Sequence, residues 1–213
     1  QEGVGYYQVN IKDGKRQSTA QTFLKQCEKR PNLKIQTNAL TQRVLFEGKK
    51  ASGVAYRVKG EDKIAHCRGE VILCGGTVNS PQLLELSGIG DSEWLQRFGI
   101  ETLQHLPGVG ENLQDHLQIR SVYKVNNTVT MNLRANSLFG KMKMGLEYFL
   151  FKSGPLTMPP SQLGAFAKSD LDQPTANIEW HVQPLSLDKF GDPLHRFNAI
   201  TPSVCNLKPT SRG

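Results

Sequence analysis

The chain has 213 residues, enough for one sizeable core or for parts of two domains. Hydrophobic residues make up 38% and charged residues 21%, which places it among soluble globular chains, and no apolar stretch approaches the roughly 20 residues needed to span a bilayer. The formal charge is +7, but no basic run exceeds Lys49-Lys50 or Lys15-Arg16, so the concentrated basic face that a nucleic-acid partner needs is absent and no such partner is expected.

In chain order, Gly5 to Ile11 is expected as a strand turned by Lys12-Asp13-Gly14-Lys15, because Asp-Gly favours a tight turn. Ser18 is expected to cap a helix in which Ala20, Phe23, Leu24 and Cys27 recur at helical spacing and which Pro31 ends. Leu33 to Thr37 and Thr41 to Phe46 are predicted strands. Ser52 to Lys59 and Ile64 to Cys67 form a hairpin around Gly60-Glu61-Asp62. Val71 to Cys74 is a short apolar run expected as a buried strand. It breaks at Gly75-Gly76, after which a helix is expected to open with Ser80 as cap and Pro81 in its first turn, and to stop at Gly88. A short helix carrying Trp94, Leu95 and Phe98 leads to a loop at 107–110.

Beyond that loop the pattern changes. Gln118 to Lys124 alternates like a strand, and Leu138 to Phe151 carries Phe139, Met142, Leu146, Phe149 and Leu150 at helical spacing. Residues 153–160 form a Pro-rich loop, and strands are expected near Leu163–Ala167, Asn177–Pro184 and Ala199–Asn206. No internal repeat or low-complexity segment occurs. Cys27, Cys67, Cys74 and Cys205 show no Cys-x-x-Cys spacing, which favours free thiols in a reducing compartment, in the cytoplasm or against the cytoplasmic side of a membrane. His66-Cys67 and His181 lack partners at ligand spacing, so no metal is expected. Asn126-Asn127-Thr128 is a glycosylation sequon of the kind a chain this long carries by accident.

A strand, a glycine pair and a helix start bring bare backbone up against a ligand, in α/β sheets often a nucleotide. The same residues carry a resemblance. Gly76-Thr77, Ser80-Pro81, Leu83-Leu84 and Ser87-Gly88-Ile89-Gly90 stand at the spacings of the second signature of the glucose-methanol-choline (GMC) oxidoreductases. Leu106-Pro-Gly-Val-Gly-Glu-Asn-Leu-Gln-Asp-His116 resembles the family's next block. Gly14-Lys-Arg-Gln-Ser-Thr-Ala20 with Phe23-Leu24 resembles the approach to the signature, and Leu207-Lys-Pro-Thr-Ser-Arg-Gly213 the opening of the C-terminal segment. The resemblance runs through the whole chain and is greatest to the choline-dehydrogenase-like branch.

It implies an α/β plus α+β fold: part of a Rossmann-like FAD-binding domain over residues 1–116, an antiparallel-sheet substrate domain over 117–204, and the start of the C-terminal segment over 205–213. It implies FAD as cofactor and oxidation of a primary alcohol (choline-like, aliphatic or aryl) to an aldehyde, with hydride passing to flavin N5. The electron acceptor would be quinone-like, with dioxygen as the alternative. None of the glycine pairs 3/5, 88/90 and 108/110 completes a GxGxxG after a strand, and the family's catalytic His and its His or Asn partner are expected outside these residues. The chain is therefore expected to be an internal segment with no catalytic residue of its own. A non-catalytic binding module, or a lyase of the same flavin fold, stays open.

The resemblance assigns Leu40, Thr41, Cys74, Gly75, Gly76 and Asp115 to the cofactor. Glycine at the turn has a physical purpose, since a residue without Cβ lets adenine or ribose lie flush on the backbone. Asn112, Asp115 and His116 suit a structural block near the flavin better than an acid/base cluster. Glu179, Trp180 and His181 are the candidate substrate residues: on a strand Glu179 and His181 share a face opposite Trp180, and a carboxylate there suits a cationic alcohol.

Overall fold

A computed structural model describes residues 2–213. It divides into two units, one formed by residues 31–114 with 211–213, the other by residues 2–30 with 115–210.

The chain opens with β1 (Gly3–Tyr6) and the hairpin arms β2 (Ile11–Lys12) and β3 (Lys15–Arg16). Asp13 and Gly14 make the hairpin turn at φ 51° and 67°, the backbone that an Asp-Gly pair adopts most easily. The strand expected over residues 5–11 is thus interrupted, since residues 8–10 join no strand. A π-helical turn, Ala20–Leu24, runs into α1 (Lys25–Cys27). Ser18 starts it through its carbonyl, which accepts from Thr22 N at 2.9 Å, and not through the expected side-chain cap.

The unit formed by residues 31–114 is built on an antiparallel meander of β4 (Ala39–Glu47), β5 (Lys50–Val58) and β6 (Glu61–His66). Lys59 and Gly60, at φ 52° and 83°, close the β5–β6 turn. Then come α2 (Gly76–Leu86), β7 (Ile89–Gly90), α3 (Ser92–Arg97) and β8 (Gln104–His105), with β7 and β8 pairing in parallel. Asp91 caps α3 by accepting from Trp94 N at 2.9 Å. Val44, Val58 and Leu95 are the buried apolar residues here.

Three expectations fail in this unit. Leu33–Thr37 is not a strand: no described strand pairs with it, and its Leu33 and Ile35 are exposed. Val71–Cys74 is equally unpaired, and Ile72 is 72% exposed, because an apolar run becomes a buried strand only when neighbouring strands take up its backbone groups. Finally, α2 starts at Gly76, one turn before Ser80-Pro81. Ser80 Oγ reaches back to accept Gly75 N at 2.9 Å, and Pro81 lies inside the helix.

The other unit holds β9 (Gln118–Arg120), β10 (Tyr123–Lys124), α4 (Met131–Asn136), α5 (Leu138–Phe151), a 3₁₀ turn at Pro155–Thr157, β11 (Leu163–Ala167), β12 (Ile178–Gln183) and β13 (Ala199–Asn206). They form a six-stranded antiparallel sheet in the order β1-β11-β12-β13, with β9 and β10 both on β13. The single strand expected over 118–124 is therefore two short ones. On β13 the alternate residues Ala199, Thr201, Ser203 and Cys205 are buried, so this inner face is largely small and polar. Ser137 caps α5 by accepting from Gly140 N at 3.3 Å, and Lys152 ends it at φ 52°.

Candidate functional site

In the unit formed by residues 31–114, a cleft of about 480 Å³ brings Thr41, Cys74 and Gly75 together, with Val54, His66 and Glu70 also on its wall. Thr41 comes from β4, where a register shift against β5 between Thr41 and Arg43 bends the strand. Leu40 points out of the cleft wall and is 69% exposed. Gly75 is glycine for a local reason: a Cβ there would come within 3.0 Å of Asn79 Cβ at the start of α2. Gly76 differs. It sits at φ 80° with nothing within 4 Å of where a Cβ would project, so its bare backbone faces open space.

The wall is mainly apolar side chains and backbone, with Thr41, His66 and Glu70 as its polar groups. That donor set fits the adenosine end of FAD, which is flat and uncharged, and asks for backbone partners and a residue without Cβ. A larger cleft of about 1080 Å³ lies along α2 and the 107–114 loop. It carries Glu85, Asp91, Glu93 and Glu111 against Arg97, a balance that disfavours an anionic pyrophosphate. Asp115 belongs to the other unit, and its exposed Oδ1 accepts the N–H of His116 at 2.8 Å.

In the unit containing residues 115–210, the β11–β12–β13 register sets Glu179 opposite Phe166 and Cys205, and His181 opposite Gly164 and Ser203. Glu179 and His181 meet, with Nε2 3.5 Å from Oε1 and only 13% of the Glu179 side chain exposed. Strand alternation puts the Trp180 indole on the other face, so the indole does not converge with the carboxylate. The structure adds a residue the sequence did not point to. The Tyr7 hydroxyl donates to Glu179 Oε1 at 2.7 Å and also lies 3.1 Å from the Trp180 carbonyl. Its ring stacks on His181, centroids 5.4 Å apart and planes at 23°. Burial, then the hydrogen bond to and charge of Glu179, push the Tyr7 pKa up, which keeps the phenol a donor. Burial and then the charges of Glu179 and Asp115 likewise push Cys205 up. No local sequence pattern marks Tyr7, because it meets Glu179 across 172 residues.

Ser186, His195 and Asp188 stand in the order of a hydrolytic triad: Ser186 Oγ is 2.9 Å from His195 Nδ1, and His195 Nε2 is 3.2 Å from Asp188 Oδ1. Ser186 is fully buried, however, and its Oγ already accepts from Asn132 Nδ2 at 3.0 Å. A nucleophile needs an approach path, so this group is a structural clasp between α4 and the 184–198 loop.

One mixed α/β unit with a glycine turn at a helix start, and one unit built on an antiparallel sheet, are the parts of an FAD-dependent oxidoreductase. A family model described as GMC oxidoreductase matches residues 1–118. Oxygen-dependent choline dehydrogenases of Burkholderia vietnamiensis and Burkholderia cenocepacia are each 38% identical over 214 residues, covering 100% of this chain and 38% of theirs. The chain thus spans about two fifths of the length of these relatives. Among solved structures, formate oxidase of Aspergillus oryzae superposes with a TM-score of 0.86 at 20% identity, over 99% of this chain and 41% of that one. Pyridoxine 4-oxidase of Mesorbium loti gives 0.78 at 25% identity, over 100% and 38%. The chain belongs to the GMC oxidoreductase family, whose cofactor is FAD.

Proposed function

We propose that the chain forms the adenine-side wall of an FAD site and one wall of the alcohol cavity in an enzyme that oxidises a primary alcohol, choline or a choline-like alcohol, to its aldehyde. The observation that carries the cofactor half of this reading is the cleft on which Thr41, Cys74 and Gly75 converge beside the bare backbone of Gly76. The backbone of residues 40–41 and 74–76 would hold the adenosine end of FAD. When bound there, FAD would supply the hydride-accepting chemistry for alcohol oxidation.

For the substrate half, Glu179 supplies a largely buried negative charge on the sheet face shared with His181 and Tyr7, which suits a cationic alcohol. The 38% identity to choline dehydrogenases supports the choline-like class, and the name those relatives carry favours dioxygen over a quinone-like acceptor.

Equilibrium titration of the chain with FAD, followed by competition with AMP and with FMN, tests the reading. AMP is expected to displace FAD and FMN to leave it in place, and Gly76→Val is expected to weaken FAD by at least about tenfold, or about 1.4 kcal/mol. Displacement by FMN alone, or an unchanged Gly76→Val, overturns the adenine-side assignment.

A further inference from the structure

We propose that Tyr7 is a positioning residue of the substrate wall: by occupying one oxygen of Glu179, it turns the other towards the substrate. The inference rests on the reading of the Glu179–His181 face as that wall.

Both groups that approach the carboxylate come to the same oxygen. Tyr7 Oη donates to Oε1 at 2.7 Å and His181 Nε2 lies 3.5 Å from it, while Oε2 has no protein donor among the described residues. A carboxylate with only 13% of its side chain exposed is costly unless its oxygens are satisfied. One oxygen is satisfied from within the sheet, and the other is left to accept a donor or to face a cation. The phenol stays protonated, so it holds Oε1 as a donor and does not compete for the proton of a bound alcohol.

The chain is built to bring Tyr7 there. β1 pairs with β11 in the register Gly5↔Gly164 and Tyr6↔Leu163, and Tyr7 N then donates to Gln162 O at 2.9 Å. Past the end of β1 the phenol ring lies over Gly164, where a Cβ would come within 2.4 Å of Tyr7 Cζ. Gly164 is therefore the seat of the ring. A recess of about 260 Å³ adjoins it, formed by residues 2–7 of the β1 segment, Glu2 among them, with Gly164 and Phe166 of β11. An orienting hydroxyl, a bare seat beneath its ring and a free carboxylate oxygen together make a directed site.

The test is binding of choline to the full chain by calorimetry, with the neutral isostere 3,3-dimethyl-1-butanol as control, for wild type, Tyr7→Phe, Glu179→Gln and Gly164→Ala. Tyr7→Phe keeps the ring on Gly164 and removes only the hydroxyl. It is expected to weaken choline roughly tenfold, to leave the isostere unchanged and to alter the side-chain ¹⁵N shifts of His181. Glu179→Gln is expected to abolish the preference for choline over the isostere. Gly164→Ala, which displaces the ring and keeps the hydroxyl, is expected to weaken choline similarly, and it decides the matter should Tyr7→Phe fold poorly. Wild-type choline affinity in Tyr7→Phe and Gly164→Ala, with loss only in Glu179→Gln, reduces Tyr7 to a packing residue and overturns the inference. Unchanged affinity in Glu179→Gln as well overturns the substrate-wall reading itself.

Discussion

The hydroxyl of Ser87 accepts the backbone N–H of Val44 at 2.8 Å and donates to the carbonyl of Leu83, so the last turn of α2 is bolted to the middle of β4. Val44 is buried, so its N–H depends largely on this partly buried bond. The helix that follows the glycine turn and the strand that supplies Thr41 are thereby held in one frame.

Ser87→Ala should leave the Val44 N–H unpaired and lower stability by about 1–3 kcal/mol. Gly88→Ala should cost more. Gly88 sits at φ 84°, and a Cβ there would come within 2.5 Å of the Glu101 carbonyl. Urea midpoints of the two variants decide the matter. Equal midpoints for Ser87→Ala and wild type would mean that the tie contributes nothing.

Asn132 is fully buried, and its side-chain amide is saturated. Nδ2 donates to Ser186 O, Ser186 Oγ and His195 O, each at 3.0 Å, and Oδ1 accepts Ser186 N at 2.9 Å. Asn132→Leu keeps the volume and strands these partners, so a loss of about 3 kcal/mol or more is expected. Asn136→Ala removes exposed bonds to Leu194 O and His195 O and should cost under about 1 kcal/mol. Denaturation curves for both variants should separate by this margin.

Stability should fall as the solution becomes alkaline. Tyr7 and Cys205 both have pKa values raised in the folded chain, so the unfolded chain loses their protons first. Their contribution is full below the ordinary pKa of each group, about 8.5 for Cys and about 10 for Tyr, and is lost as pH climbs above those values towards the raised ones. Melting temperature measured from pH 8 to 11 should decline, and the double variant Tyr7→Phe, Cys205→Ala should flatten the decline. A slope unchanged in that variant would place the alkaline titration elsewhere.

Local periodicity found most of the elements and did not reveal what surrounds them. α5 stands where the spacing of Phe139, Met142, Leu146, Phe149 and Leu150 predicts it, yet all five are more than half exposed and Met144 is the buried residue of the helix. Spacing reports the backbone's period, and burial depends on what packs against the stripe. Val71–Cys74 shows the same gap from the strand side, since four apolar residues specify an extended run but not the neighbours that would bury it. Ser80-Pro81 has the chemistry of a helix start, and the start was displaced because Gly76 could take the positive φ that opens the helix a turn sooner.

The candidate site was legible where it lies in one stretch of chain and hidden where it is assembled. Cys74, Gly75 and Gly76 are consecutive and could be singled out together. Glu179 and His181 share a face by simple alternation. Tyr7 was invisible because nothing near it in sequence implies a partner on β12, and nothing in the sequence marks Gly164 as the seat of its ring.

The route of the backbone sets an order of events during synthesis. Residues 31–114 leave the ribosome as one continuous stretch, and the contacts that hold their unit, apart from the three terminal residues 211–213, are all available by then. β1 emerges before any of this, but the strand it pairs with and the carboxylate its neighbour Tyr7 engages arrive only after that stretch has passed, Glu179 being 172 residues later. The first strand of the larger sheet must therefore wait as an unpaired tether, with its edge open, until β11 (Leu163–Ala167) has been made.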